Sequence, residues 1–179
     1  MKLRLLRAFL TFSVFAAGLC LAPAHAQETT HPGEQPVDPY EMSNANAGAA
    51  PVAGTALFEA FHGEEGIGRI ADGMIDRSLA DPRTAEIFKP FDMVRLRRTL
   101  REQLCYLLAG PCQYTGRTMA DAHRDMGVQT RDFNIVVEHL RDAMDAEGVA
   151  FRDQNRLLAL LAPMHRDVVQ SEAAGAPAP

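Results

Sequence analysis

From residue 57 onward the apolar positions recur at the three-and-four spacing of helices. Leu57, Phe58 and Phe61 mark a short opening helix that stops at Gly63. Ile67, Ile70, Ala71, Met74, Ile75 and Leu79 form the stripe of a second helix. Asp81-Pro82 then reads as a cap with proline at the first helical position. Ile87, Phe88 and Phe91 cluster before Asp92. Asp92 is placed to cap a long helix with Met93, Leu96, Leu100, Leu104 and Leu107 or Leu108 on its inner face. Arg95, Arg97, Arg98, Arg101 and Glu102 make up the outer face, read as solvated. Gly110-Pro111 ends that helix. A short helical run from Thr118 to Asp125, closed by Gly127, carries His123. Thr130 reads as the cap of another helix, with Asp132 in its first turn and Phe133, Val136, Val137, Leu140 and Met144 on its core face. Gly148 ends it, and Leu157, Leu158, Leu160, Leu161, Met164 and Val168 mark a final helix. No run sustains period-two alternation, so the domain is all-α. The loop from Gly110 to Thr118 is too long for a bundle with tight turns, and it leads to a helix that presents one side chain.

The flanks have a different composition. Met-Lys-Leu-Arg-Leu-Leu-Arg (1–7), an apolar run from Ala8 to Leu21 and Ala24-His25-Ala26 together have the form of a secretory signal peptide over residues 1–26. Its apolar run of about 14 residues is short for a bilayer span. Leu19 before Cys20 argues against a lipidated cysteine. Residues 27–54 are rich in Pro, Gly, Ala, Asn and Glu and read as a flexible leader; 171–179 read as a disordered tail. That leaves 55–170 as one small folded domain. Removing the signal takes Lys2, Arg4 and Arg7 with it and leaves 15 basic against 23 acidic side chains, a net charge of −8. This excess of acid argues against a nucleic-acid partner. The expected site is outside the cytoplasm, with the periplasm first, and no membrane span remains after signal removal.

Cys105 and Cys112 are then the remaining cysteines, an even number in an exported chain. On one straight helix they would stand about 10 Å apart along the axis, too far to bond. Gly110-Pro111 breaks the helix between them and lets Cys112 fold back, so a disulfide is expected. No Cys-x-x-Cys-His is present, so covalent attachment of haem has no support.

His123 is the candidate metal ligand: an imidazole on a short anchored helix, flanked by small Ala120 and Ala122 that let a flat group approach. His62, His139 and His165 read as solvent-facing or hydrogen-bonded residues, and His31 falls in the leader.

Certain stretches carry a family likeness: Gly-Glu-Glu-Gly-Ile (63–67), Leu-Ala-Asp (79–81), Phe88, Asp-Met-x-Arg-Leu (92–96) and Gly-Pro-Cys-Gln-Tyr-Thr-Gly-Arg-Thr-Met (110–119). Ala-His-x-x-x-Gly-Val-x-x-x-x-Phe (122–133) and Ala-Pro (162–163) continue it. With these, Leu57 to Val169 resembles the group I truncated haemoglobins. The resemblance implies a two-over-two helical sandwich, helices B and E over G and H, around a haem b. Carried over by position, His123 is the proximal iron ligand and Phe88 the ring that stacks on the porphyrin. Tyr114 and Thr115 fall near the haem edge, where a hydroxyl could reach a propionate. Met119 counts with the cofactor-binding residues, and Leu96 falls on the distal side. Arg97, Arg98 or Arg117 is a candidate propionate partner.

Two departures bear on chemistry. The family usually has a distal tyrosine where this chain has Ile75, and a distal glutamine where it has Leu100. Those groups donate hydrogen bonds to an oxygen ligand that carries partial negative charge, each contributing on the order of 1–3 kcal/mol. With Met74, Ile75, Leu96 and Leu100 the expected distal pocket is dry and apolar. Gln103 is the nearest polar side chain on that helix, and Met74 or Met93 is a candidate sixth ligand. The resemblance thus implies an exported haem protein that reversibly binds O2, NO or CO at a five-coordinate iron, monomeric or a weak dimer, served by an unidentified periplasmic reductase. A haem-dependent redox enzyme (nitric oxide dioxygenase or peroxidase-like) and a haem-ferrying or haem-free interaction domain are the alternatives.

Overall fold

The computed structural model describes residues 31–169. The expected signal peptide at 1–26 and tail at 171–179 lie outside the described residues. Eight α-helices occur among those described: α1 Ala56–Ala60, α2 Gly63–Ala80, α3 Ala85–Phe88, α4 Met93–Leu107, α5 Met119–Ala122, α6 Thr130–Ala146, α7 Phe151–Leu161 and α8 His165–Val168. There is no strand among the described residues. Helix α2 is central and packs on α6 and on α4, and α6 meets α7. The pairs α2/α4 and α6/α7 are the two layers of the two-over-two sandwich.

The apolar stripes meet as expected. Leu57, Phe61, Ile67, Ile70, Ile75, Leu104, Leu108, Met144 and Leu157 are all buried in one cluster. A second cluster holds Ala47, Leu107, Tyr114, Met119, Val128, Met164 and Val168. Leu161 packs against both.

Several boundaries shift for local reasons. Asp92 caps α4 as expected, accepting from Val94 N and Arg95 N. Asp81-Pro82 does not open a helix. Asp81 is the C-cap of α2, and its carboxylate accepts from Arg83 N and the Arg83 guanidinium. Thr130 is the first residue of α6 rather than its cap. Asp132 instead accepts from Gln129 N at 3.0 Å, one residue earlier. The last helix is interrupted by a 3-10 turn at Ala162–Met164, where Pro163 lacks the N–H that an α-turn needs.

The end of α4 is built for a close approach. Ala109, not Gly110, takes the left-handed conformation (φ 61°), and Gly110 N donates to Cys105 O at 2.8 Å. Gly110 is required for space: a Cβ there would stand 2.5 Å from the Phe58 ring and 2.6 Å from Cys105 Sγ. The chain can then turn back, and the structure joins Cys105 to Cys112 with Cα atoms 5.8 Å apart. Closing this short loop contributes roughly 2–3 kcal/mol in the chain-entropy model. Cys112→Ser should lower the unfolding free energy by about that amount in urea titration; an unchanged midpoint would show that the link adds no stability.

From residue 31, where the described residues begin, the segment expected to be a flexible leader is a packed strap. Gln35 N donates to Asp92 Oδ2 at 2.7 Å, Tyr40 Oη donates to Thr115 O at 2.9 Å, and Asn46 Nδ2 donates to Gly116 O at 3.2 Å. Tyr114 N donates to Asn44 Oδ1 at 2.7 Å, and Val52 N donates to Leu107 O at 2.9 Å. Composition misled here because an apolar count ignores polar complementarity. Two of the arginines read as a solvated face receive the strap: the buried Glu34 carboxylate accepts from Arg98 at 2.5 Å and from Arg95 at 3.1 Å. Burial alone would raise the Glu34 pKa, but these guanidinium bonds more than offset it and hold the acid below its ordinary range. A depressed carboxylate contributes stability that is present above its unfolded pKa and lost as pH falls through the folded one. Glu34→Ala should therefore cost about 2 kcal/mol at neutral pH, on the scale of hydrogen bonds to charged groups, and the difference should vanish in acid. Thermal melts of the two proteins across pH 3–7 would test this, and a constant difference would refute it.

Candidate functional site

Helix α5 is a single turn, too short to hold itself in water. Its order comes from outside. Thr118 Oγ1 accepts from Asp121 N at 3.1 Å and caps it. The Met119 side chain is buried in the second apolar cluster and anchors it. The helix stops at Ala122, short of the expected Asp125, because Asp125 and Gly127 both take positive φ. His123 is thus the C-cap, half-buried beside exposed Ala122.

The His123 ring is oriented by its own turn. Nδ1 lies 2.8 Å from the Met119 carbonyl. A carbonyl only accepts, so Nδ1 carries the proton and Nε2 the lone pair. Burial pushes the His123 pKa down, partly opposed by the Met119 bond. The ring therefore stays neutral below the ordinary histidine range, the state a metal ligand needs. A depressed histidine adds protons on unfolding, so acid works against this site as pH falls below the unfolded pKa. His123 belongs to no group of three or more His, Cys, Asp or Glu side chains among the described residues. A metal held by this imidazole must bring its other ligands with it, as iron in a porphyrin does.

The remaining candidates divide. Met74 and Ile75 are buried in the first cluster on α2, and half-buried Leu96 and Leu100 on α4 pack against it. Met93, the other candidate sixth ligand, is also half-buried there. Phe88 is half-buried at the end of α3 and, among the described residues, packs into neither cluster.

Tyr114, Thr115 and the arginines are committed elsewhere. The Tyr114 phenol is buried and donates to Arg117 O at 2.9 Å, and burial raises its pKa. The Thr115 hydroxyl donates to Glu102 at 2.7 Å and accepts from Arg98 at 2.5 Å. Arg97 bridges to Asp72 and Asp76 on α2. Arg117 donates to Asp38 O and lies over the Tyr40 ring, 4.9 Å from its centroid. Tyr114, Thr115, Arg98 and Arg117 shape the loop and strap, and Arg97 ties α4 to α2, rather than standing free at a haem edge.

Two buried polar residues named from sequence have partners that the sequence did not show. Gln103 is buried, and its Nε2 donates to Ala47 O at 3.0 Å and lies 3.3 Å from Met119 Sδ. It is thereby directed to the strap and α5. The available signal was its spacing: Leu96, Leu100, Gln103 and Leu107 fall on one stripe of α4. The second residue ties the end of α2 to α6. His139 is buried, with Nδ1 3.0 Å from Ser78 Oγ and Nε2 3.2 Å from Asp81 Oδ2. Ser78 is wholly buried, so this chain of side chains acts as a clamp, and His139 is a satisfied residue rather than a ligand. His62 is exposed and pairs with Glu147 O at 3.0 Å, while the His165 ring sits edge-on to Phe133.

Comparison with known proteins gives the same family over the same span. The family model described as bacterial-like globin matches residues 56–170. A group 1 truncated hemoglobin of Mycolicibacterium paratuberculosis is 29% identical over 118 residues, covering 66% of this chain and 87% of that protein. One from a Nostoc species is 31% identical over 104 residues, covering 58% of this chain and 88% of that protein. The crystal structure of truncated hemoglobin from Tetrahymena pyriformis in its Fe(III) form superposes with a TM-score of 0.61 at 26% identity, over 64% of this chain and 98% of that one.

Proposed function

The chain belongs to the bacterial-like globins as a group 1 truncated haemoglobin, and from that premise we propose that it is an exported haem b protein with His123 as proximal ligand and an apolar distal pocket for a diatomic gas. Haem supplies the iron at which a small gas binds reversibly. The residues suit that group. The observation that carries the reading is the His123 ring, neutral and with Nδ1–H held on Met119 O so that the lone pair lies on Nε2. A backbone carbonyl that holds the far ring nitrogen in this way fixes the tautomer and orientation of a metal-bound imidazole. Phe88, half-buried and outside both apolar clusters, gives a flat macrocycle a ring to stack on.

The distal side sets the ligand preference. Ile75 and Leu100 offer no hydrogen-bond donor, and Gln103 is engaged by the strap. Charge on a bound gas is therefore unsupported, which lowers the advantage of oxygen over less polar CO and NO. The same lack weakens a redox enzyme, since oxygen activation needs stabilised charge. Export rests on the signal-like residues 1–26 and on the cysteine pair.

The test is an absorption spectrum of the chain from Gln27, reconstituted with haem, ferric and dithionite-reduced. A five-coordinate ferrous histidine spectrum is expected. A six-coordinate ferrous spectrum would point to Met74 or Met93 as an internal ligand and overturn the open site. Failure to retain haem would overturn the whole reading and favour the interaction domain.

A further inference from the structure

The buried carboxamide of Gln103 stands between two parts of the molecule that have no reason from sequence to be linked. On one side is the strap: Gln103 Nε2 donates to Ala47 O at 3.0 Å, and Ala47 is fully buried. On the other is α5: the same nitrogen lies 3.3 Å from Met119 Sδ and 3.7 Å from Met164 Sδ. The strap is pressed close here, since a Cβ on Gly48 would meet Met164 at 2.8 Å. Met119 is the residue whose carbonyl holds His123 Nδ1 at 2.8 Å. A short series of contacts therefore runs from Ala47 through Gln103 and Met119 to the His123 ring. Helix α5 has only four residues, so the seating of Met119 decides where its carbonyl points.

We propose that Gln103 is a positioning residue for His123: its carboxamide locks Met119 against the strap, and the Met119 carbonyl then sets the orientation of the proximal imidazole. Gln103 acts through Met119. The strap is by this route a working part of the proximal side, and its hydrogen bonds to 114–116 support the same loop from above α5 in the chain. This rests on His123 being the iron ligand.

Gln103→Met keeps the side-chain length and removes the donor. The chain reconstituted with haem and reduced should keep its haem, but its iron–histidine stretching band in resonance Raman should shift and broaden. Haem transfer to apomyoglobin should be about ten-fold faster. A role confined to core stability would lower the melting temperature and leave the band unchanged, and that result overturns the proposal. If Gln103→Met does not fold, Met119→Leu carries the test, because it keeps the shape and removes the sulfur acceptor; a shifted band supports the link and an unshifted one overturns it. A native protein with no iron–histidine band would overturn the ligand reading together with this one. A native band that survives Gln103→Met unchanged overturns this one alone.

Discussion

Replacing His123 by alanine should abolish the five-coordinate ferrous spectrum and weaken haem retention by at least about a hundred-fold. Loss of an outer-shell partner of a metal ligand typically costs 10–100-fold in affinity, and loss of the ligand itself costs more. The apolar walls remain, so some haem would still partition into the domain, with an altered spectrum. Because α5 is held by Thr118 and Met119, the turn should survive the change and leave space for an added imidazole. Millimolar imidazole should then restore the histidine-type spectrum. The measurement is haem loss to apomyoglobin with spectra taken before and after imidazole. A His123→Ala protein with the native spectrum would mean that another side chain holds the iron, and the proximal assignment would be abandoned.

Building a donor into the distal side should have the second-largest effect. Leu100→Gln places a carboxamide on the face of α4 shared with Leu96, at a half-buried position. One hydrogen bond to a ligand with partial negative charge contributes on the order of 1–3 kcal/mol. Oxygen dissociation should slow about ten-fold, since each 1.4 kcal/mol is a factor of ten. Adding Ile75→Tyr should bring the total toward about a hundred-fold, short of full additivity because both donors would serve one ligand. The two positions differ in tolerance. Ile75 is wholly buried among tightly packed neighbours, so a tyrosine there should also cost about 1–3 kcal/mol of stability by overpacking. Carbon monoxide dissociation should change far less, since that ligand carries little charge. Stopped-flow displacement of both gases from the same proteins makes the comparison. Equal slowing of both gases would show that access, not hydrogen bonding, had changed.

Much of the scaffold was legible because it follows from periodicity. The stripe of α2, the Asp92 cap of α4 and the stop at Gly148 are local facts, set by side chains three or four residues apart. His123 was singled out as the proposed ligand for a different reason: it lies in a run of residue types at family spacing, which one sequence displays without any contact being known. The boundaries that moved did so through single competing groups. Asp132 accepts from the N–H of Gln129, which takes the cap position expected for Thr130, and Ala109 rather than Gly110 took the left-handed turn. No period reports such choices.

The chain by itself determined an all-helical globin, its helix order and the apolar character of Ile75 and Leu100, and it singled out the histidine proposed to hold the iron, because each is carried by local spacing or by residue type. Only the tertiary structure decided what the polar residues do. The arginines of α4 looked solvated, and the segment before residue 55 looked too polar to fold. Brought together, Glu34 is buried between Arg95 and Arg98, and the strap's amides and hydroxyls meet the 114–116 loop. A polar group costs free energy to bury only if it lacks a partner, and partners some sixty to seventy residues away become visible only when the chain has closed on itself.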